Sequence, residues 1–227
     1  MQKIVIFDMD GTLLDTEKYY RKYWPQALRE YGYEMTDGMS LEMRSLGRPF
    51  ALEKLHGWYG ALPEYQEIRQ RRNELVEADL KKYGTELKAG CRELLDWLRA
   101  HEWTVAVATS TSEERSRKYL REAGILEYFS RIVCTNMVEE GKPSPQVYLY
   151  ACEVLQAEPA QVFAVEDAPN GVLSAYRAGL KVIMVPDQAP PDESLSALLY
   201  REARDLSEII PILEEAGREQ ADFSVQA

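Results

Sequence analysis

The sequence predicts an α/β fold, a mainly parallel sheet covered by helices on both faces, with a helical insert after the first strand. Three observations predict it. Short apolar, β-branched runs recur along the chain and end abruptly on polar residues; segments with helical spacing lie between them; and residues 16–83 carry helical patterns without a buried strand. Alternation of this kind implies right-handed βαβ crossovers, and ligands of such sheets bind beyond the carboxyl ends of the strands.

Each element follows from its residues. Lys3-Ile4-Val5-Ile6-Phe7 reads as a buried strand that delivers Asp8 and Asp10 into a loop. Next comes the insert, with helix-like patterns around Lys18 to Tyr31, Ala51 to Trp58 and Tyr65 to Lys82. A cap over the carboxyl edge of the sheet is expected from it, so that 16–83 form a cap domain and 1–15 with 84–227 form the core. Strands are then expected at Thr104 to Ala108, Ile132 to Cys134, Val162 to Val165 and Val182 to Val185, five in all with the first. Helices are expected at Arg92 to Ala100, Ser112 to Ala123, Gln146 to Leu155 and Asn170 to Ala178, the last closed by Gly179. Asp205 to Glu215 reads as a final amphipathic helix and Arg218 to Ala227 as a frayed polar tail.

Composition narrows the function. The 227 residues hold 27 Lys and Arg against 38 Asp and Glu, a net charge of −11, and no basic cluster stands out that could displace the counterions of a nucleic acid. The longest apolar runs fall far short of the roughly 20 residues that cross a bilayer. The chain enters its first strand within three residues, which leaves no room for a secretion signal, and its three cysteines, Cys91, Cys134 and Cys152, are widely spaced. A cytoplasmic protein with reduced thiols, acting as a monomer without nucleic acid or membrane partners, is expected.

The chemistry concentrates at the strand ends. Asp8 and Asp10 project to one side, about 7 Å apart at the backbone, and can address one ion or substrate. A calcium loop would need Gly at its sixth position and Glu at its twelfth, where this chain has Leu13 and Tyr19. Later strand ends add Ser110, then Lys142 in Gly141-Lys142-Pro143-Ser144-Pro145, then Glu166-Asp167.

In that order, Asp8-Met9-Asp10-Gly11-Thr12-Leu13-Leu14-Asp15-Thr16-Glu17, Ser110, Lys142 and Glu166-Asp167 resemble the four motifs of the haloacid dehalogenase superfamily, in its phosphatase and β-phosphoglucomutase-like branch with a helical cap. The resemblance spans nearly the whole chain and implies a Rossmann-like core. It also implies that Asp8 is the nucleophile, Asp10 the general acid and base, and Ser110 and Lys142 phosphate ligands, with Met9, Gly11, Thr12 and Thr111 lining the phosphate. Mg²⁺ would be held by Asp8, Asp167 and the Asp10 carbonyl, with Glu166 beside them. The chemistry is consistent with those roles, since a carboxylate attacking a phosphate monoester needs a divalent cation and a lysine to offset the repulsion of two anions.

The expected activity is therefore Mg²⁺-dependent hydrolysis of a small phosphorylated metabolite, a sugar, polyol or nucleoside monophosphate, through an aspartyl-phosphate. The resembling mutases usually carry a histidine twelve positions after the nucleophile, where this chain has Tyr20, and an apolar β-branched residue at Thr12. Both departures favour a phosphatase, with a phosphosugar mutase as the alternative and a non-catalytic phosphate-binding scaffold as the alternative of another class. A receiver domain would order its parts differently and lack the insert. Substrate choice is expected from the insert. Arg48 is the specificity candidate in Leu46-Gly47-Arg48-Pro49, near Arg44 and Lys54; Tyr20 and Trp24 share a helix face toward the cleft or the cap's own core. Arg69-Gln70-Arg71-Arg72 reads as a solvated helix face. His56 and His101 are given no role.

Overall fold

The computed structural model describes residues 2–225. Six strands form one sheet: β1 (Ile4–Phe7), β2 (Thr104–Thr109), β3 (Arg131–Cys134), β4 (Phe163–Glu166), β5 (Lys181–Met184) and β6 (Arg201–Glu202), in the order β3-β2-β1-β4-β5-β6 with every neighbouring pair parallel. The sheet has one strand more than the sequence analysis expects. β6 is two exposed residues, too short and too polar to show a strand pattern.

Chain order runs outward from β1 in one direction through β2 and β3, then returns to its other side for β4 to β6. The carboxyl end of β1 is thus the switch point of the sheet, where loops part and leave a crevice. Alternation along β1 sends Val5 and Phe7 into one apolar layer and Ile4 and Ile6 into the other. The first layer packs against α5 (Cys91–Ala100), α6 (Glu113–Glu122) and the start of α10 (Ile209–Val225); the second packs against α7 (Gln146–Val154) and α8 (Pro169–Arg177). A four-residue helix, α9 (Glu193–Ser196), precedes β6. The final helix continues ten residues past its expected end at Glu215, because Glu, Gln, Ala and Arg after it are helix formers; residues 226 and 227 of the expected frayed tail lie outside the described residues. Among the described residues no helix is long and apolar enough to cross a membrane.

Between β1 and α5 stand four helices, α1 (Glu17–Glu30), α2 (Asp37–Glu42), α3 (Phe50–Tyr59) and α4 (Tyr65–Tyr83). They share an apolar cluster of their own in which Leu28, Leu55 and Ile68 are fully buried, each worth roughly 1.5–3 kcal/mol over exposure. The loop joining α2 to α3 rests on the core backbone to backbone. Gly47 N–H donates to the Lys142 carbonyl at 2.8 Å, and Gly141 N–H donates to the Arg48 carbonyl at 2.6 Å. Asn170 Nδ2 at the start of α8 adds a bond to the Arg44 carbonyl at 2.8 Å.

Glycine is needed at this crossing, since a Cβ on Gly47 would stand 2.6 Å from the Gly141 Cα. Gly47→Ala is therefore expected to lift the loop and lower kcat/KM about 100-fold, the effect of misplacing a closing element by about an ångström. Gly57→Ala on α3, where an added methyl meets nothing within 4 Å, serves as the control and is expected to leave kcat/KM unchanged.

Candidate functional site

The site starts where β1 stops. Asp8 N–H still donates to the Val165 carbonyl of β4 at 2.9 Å, so the Asp8 carboxylate is fixed by the ladder, 2% exposed, at the mouth of the sheet. The chain then turns sharply at Gly11, whose φ of +86° suits glycine; a Cβ there would lie 2.5 Å from Asp167 Oδ2. Gly11 N–H is engaged by the Leu14 carbonyl at 2.8 Å, so within this loop it is not an open donor for phosphate, contrary to the expectation for that residue. The Met9 side chain is fully buried in the core and can serve a ligand only through its backbone.

The ends of β1 and β4 and the loop after β3 meet around Asp8. Lys142, fully buried in the loop between β3 and α7, reaches Asp8 Oδ1 at 2.5 Å and Glu166 Oε1 at 2.6 Å. Tyr148 on α7 donates its hydroxyl to the same Glu166 oxygen at 2.5 Å, and Thr12 Oγ1 donates to Asp167 Oδ1 at 3.4 Å. The second oxygens of the three acids, Asp8 Oδ2, Glu166 Oε2 and Asp167 Oδ2, are buried without a hydrogen-bond partner among the described residues. Ligand atoms of these three residues lie within 4.8 Å of one another.

Such crowding of carboxylates has an electrostatic signature. Burial outweighs the pull of Lys142 and raises the Asp8 carboxyl above its ordinary range, while burial, reinforced by Asp8 and its other acid neighbours, pushes Asp167 well above its own. Glu17, 5% exposed, is pushed up to about 8 by burial, with Asp10 and Asp8 adding to the effect. Three orphaned hard oxygens short of positive charge fit a divalent cation. A Cβ on Gly171 would fall 2.0 Å from Glu166 Oε2, so glycine there keeps the carboxylate in its place.

The Asp10 side chain stands apart from this cluster. Its two oxygens accept hydroxyl hydrogen bonds from Thr16 at 2.6 Å and Thr111 at 2.7 Å. Ser110, at the end of β2, donates to the Ser45 carbonyl of the α2–α3 loop at 3.1 Å and so ties the insert to the core.

A cleft of about 750 Å³, counting its open mouth, lies between the insert and the strand ends. Arg48, Tyr20 and Trp24 line it, Arg48 at its exposed rim, while Tyr20 also belongs to the core's apolar cluster and Trp24 to that of the insert. The expectation for Arg69 to Arg72 needs correction. Arg71 pairs with Glu30 and Gln70 bonds Glu74, both outward, but Arg69 and Arg72 line the cleft, and the Arg72 guanidinium lies 4.4 Å from the Trp24 ring centroid and 5.0 Å from that of Tyr20. Tyr65, Arg69 and Arg72 fall at i, i+4 and i+7, a shared helix face that the run of charges conceals. Arg44, also lining the cleft, is 7% exposed. Thr16 and Glu17, which close the first motif but have no role assigned in the sequence analysis, and Tyr148, which belongs to no motif there, are further site neighbours. The three cysteines are buried and unpaired, with thiols pushed up to about 12 at Cys91 and about 11 at Cys134 and Cys152 by burial.

The family model described as haloacid dehalogenase-like hydrolase matches residues 5–185. The chain is 31% identical to a phosphorylated carbohydrates phosphatase of Thermotoga maritima, over 79% of this chain and 82% of that protein. It is 29% identical to β-phosphoglucomutase of Bacillus subtilis over 90% and 92%. The crystal structure of CbbY from Rhodobacter sphaeroides in complex with phosphate superposes with a TM-score of 0.75 at 26% identity, covering 92% of this chain and 96% of that one.

Proposed function

The chain belongs to the haloacid dehalogenase-like hydrolase family and is a phosphatase of its β-phosphoglucomutase-like branch, and on that premise we propose Mg²⁺-dependent hydrolysis of a small phosphate monoester through an aspartyl-phosphate on Asp8. The ester is a sugar, polyol or nucleoside monophosphate. The carrying observation is the cluster of Asp8, Glu166 and Asp167 beside Lys142, each acid with an orphaned buried oxygen, of which Asp8 lines the cleft. In this reading 16–83 is the cap domain and 1–15 with 84–227 the catalytic core.

Asp8, Asp167 and the Asp10 carbonyl would hold Mg²⁺ with Glu166 beside it, and the ion when bound supplies positive charge that offsets the anions of nucleophile and ester. Lys142 holds the Asp8 carboxylate in place and offers its charge to the phosphoryl oxygens. The Asp8 carboxylate forms a bond to phosphorus as the ester oxygen departs with a proton from Asp10; a water then attacks phosphorus, gives its proton to Asp10, and releases phosphate from Asp8. Thr16 and Thr111 orient Asp10 for both transfers. Ser110 sits where closure of the insert and phosphate binding would meet.

The 29% identity to the Bacillus subtilis mutase favours a second reading, transfer of the phosphoryl group between two sugar oxygens. Tyr20 speaks against it. Burial pushes its hydroxyl up to about 12 and Arg115 donates to it at 2.7 Å, so it does not relay protons at neutral pH as a histidine would. Phosphate release measured with and without Mg²⁺ across sugar, polyol and nucleoside monophosphates, with β-glucose 1-phosphate also assayed for glucose 6-phosphate, separates the two. Mg²⁺-dependent release is expected; isomerisation without release would establish the mutase, and silence on every ester would leave a phosphate-binding scaffold.

A further inference from the structure

We propose that Tyr148 is a positioning residue of the metal site: its hydroxyl fills one oxygen of Glu166, so that the other, Oε2, is kept free for a divalent cation or its water. The inference rests on the reading that Asp8, Asp167 and Glu166 surround such an ion, and it extends that site to a side chain on α7 that touches neither the ion nor the cleft.

Glu166 is confined on every side that the fold controls. Its backbone belongs to β4, and its carbonyl accepts the Val185 N–H at 2.8 Å. Its carboxylate lies against the first turn of α8, where a Cβ on Gly171 would stand 2.0 Å from Oε2 and 2.2 Å from Cδ. Two donors meet at Oε1, the Lys142 ammonium at 2.6 Å and the Tyr148 hydroxyl at 2.5 Å. A carboxylate oxygen offers two lone pairs, so Oε1 is filled. Oε2 is buried and has no partner among the described residues. The two oxygens of one carboxylate are thus assigned different work.

The hydroxyl makes that assignment, because the rest of Tyr148 is packing. Its ring is fully buried in the apolar layer shared by α7 and α8, a place that phenylalanine would fill equally well. A hydroxyl in such a layer is costly unless it is bonded, and here it is spent on Glu166. Lys142 alone cannot do the same. Its ammonium is shared with Asp8 Oδ1 at 2.5 Å, and it stands 5.3 Å from the Tyr148 ring centroid. With Lys142 as sole donor, the Glu166 carboxylate could turn about its terminal bond and offer either oxygen to it, drawing the lysine away from Asp8. Outer hydrogen bonds of this kind set the affinity of a metal site by orienting the acids around it.

The test is a titration of the substrate-free protein with Mn²⁺, which shares the preference of Mg²⁺ for hard oxygens, with the free ion counted by electron paramagnetic resonance. Tyr148→Phe is expected to raise the Kd for Mn²⁺ about tenfold, and Glu166→Gln to raise it by at least as much. In the Glu166→Gln background, Tyr148→Phe should then add less than about twofold, since the hydroxyl acts through the carboxylate. Circular dichroism in EDTA establishes that each variant is folded at the temperature of the titration. A Kd unchanged by Tyr148→Phe, or an equal further loss when position 166 is already glutamine, overturns the inference and leaves the metal reading standing. Absence of saturable Mn²⁺ binding by the wild-type protein would overturn the metal reading itself, and the inference with it.

Discussion

Asp8→Asn is expected to lower Mg²⁺-dependent phosphate release by about 10⁴-fold or more, the loss that follows removal of a nucleophile whose work no neighbour can take over. The amide keeps the shape of the carboxylate, and its oxygen can still accept from Lys142, which also retains Glu166 at 2.6 Å. What the substitution removes is one negative charge from a fully buried group of three acids. Since burial disfavours the ionised form of Asp8, the melting temperature without divalent ion is expected to be no lower than that of the wild type. Activity and stability thus move independently, and a variant that unfolds instead would show that Asp8 is held for packing rather than chemistry.

Lys142→Met should damage both. The lysine is the one cation whose ammonium contacts Asp8 and Glu166 directly among the described residues, and all three side chains are at most 3% exposed. Its removal leaves two buried carboxylates uncompensated, which costs about 3–5 kcal/mol. For a chain of this size that corresponds to a fall of roughly 10 °C in Tm. Turnover is expected to fall by about 10³-fold, because the positive charge facing the phosphoryl oxygens is lost as well. Circular dichroism melts and phosphate release at a temperature where both proteins are folded separate the two effects. A melting temperature within about 2 °C of wild type would contradict the role of Lys142 as the counter-charge of the acid pair.

The core of the site was legible because its acids sit at the ends of short buried strands and Lys142 in a loop that follows one. Val5, Phe7 and Val165 show the strands plainly, and a parallel sheet must bring the residues that follow them to one edge. Asp8, Lys142, Glu166 and Asp167 meet there, and only the geometry adds that Lys142 bridges two of the acids and that Tyr148 steadies one. The insert was legible as helices but not in its inward faces. Arg72 and Arg71 are adjacent in sequence, yet one stacks on Trp24 in the cleft and the other pairs with Glu30 outside it. A run of charges obscures a helix face when long side chains lay their aliphatic stems on apolar neighbours. Glu17 was missed for a related reason, since an acid in the first turn of a helix ordinarily serves the helix dipole and not a buried site. β6 is too short for any pattern and is a strand only because β5 offers it an edge.

The most direct test of phosphoryl transfer through Asp8 is chemical trapping of the enzyme during turnover. Enzyme quenched with Mg²⁺ and a good substrate present, then reduced with borohydride, should yield a peptide in which position 8 has become homoserine, since an acyl phosphate is reduced where a free carboxylate is not. The conversion is expected at Asp8 alone, and absent without substrate. Steady hydrolysis with an unmodified Asp8, or reduction at another acid, would contradict it.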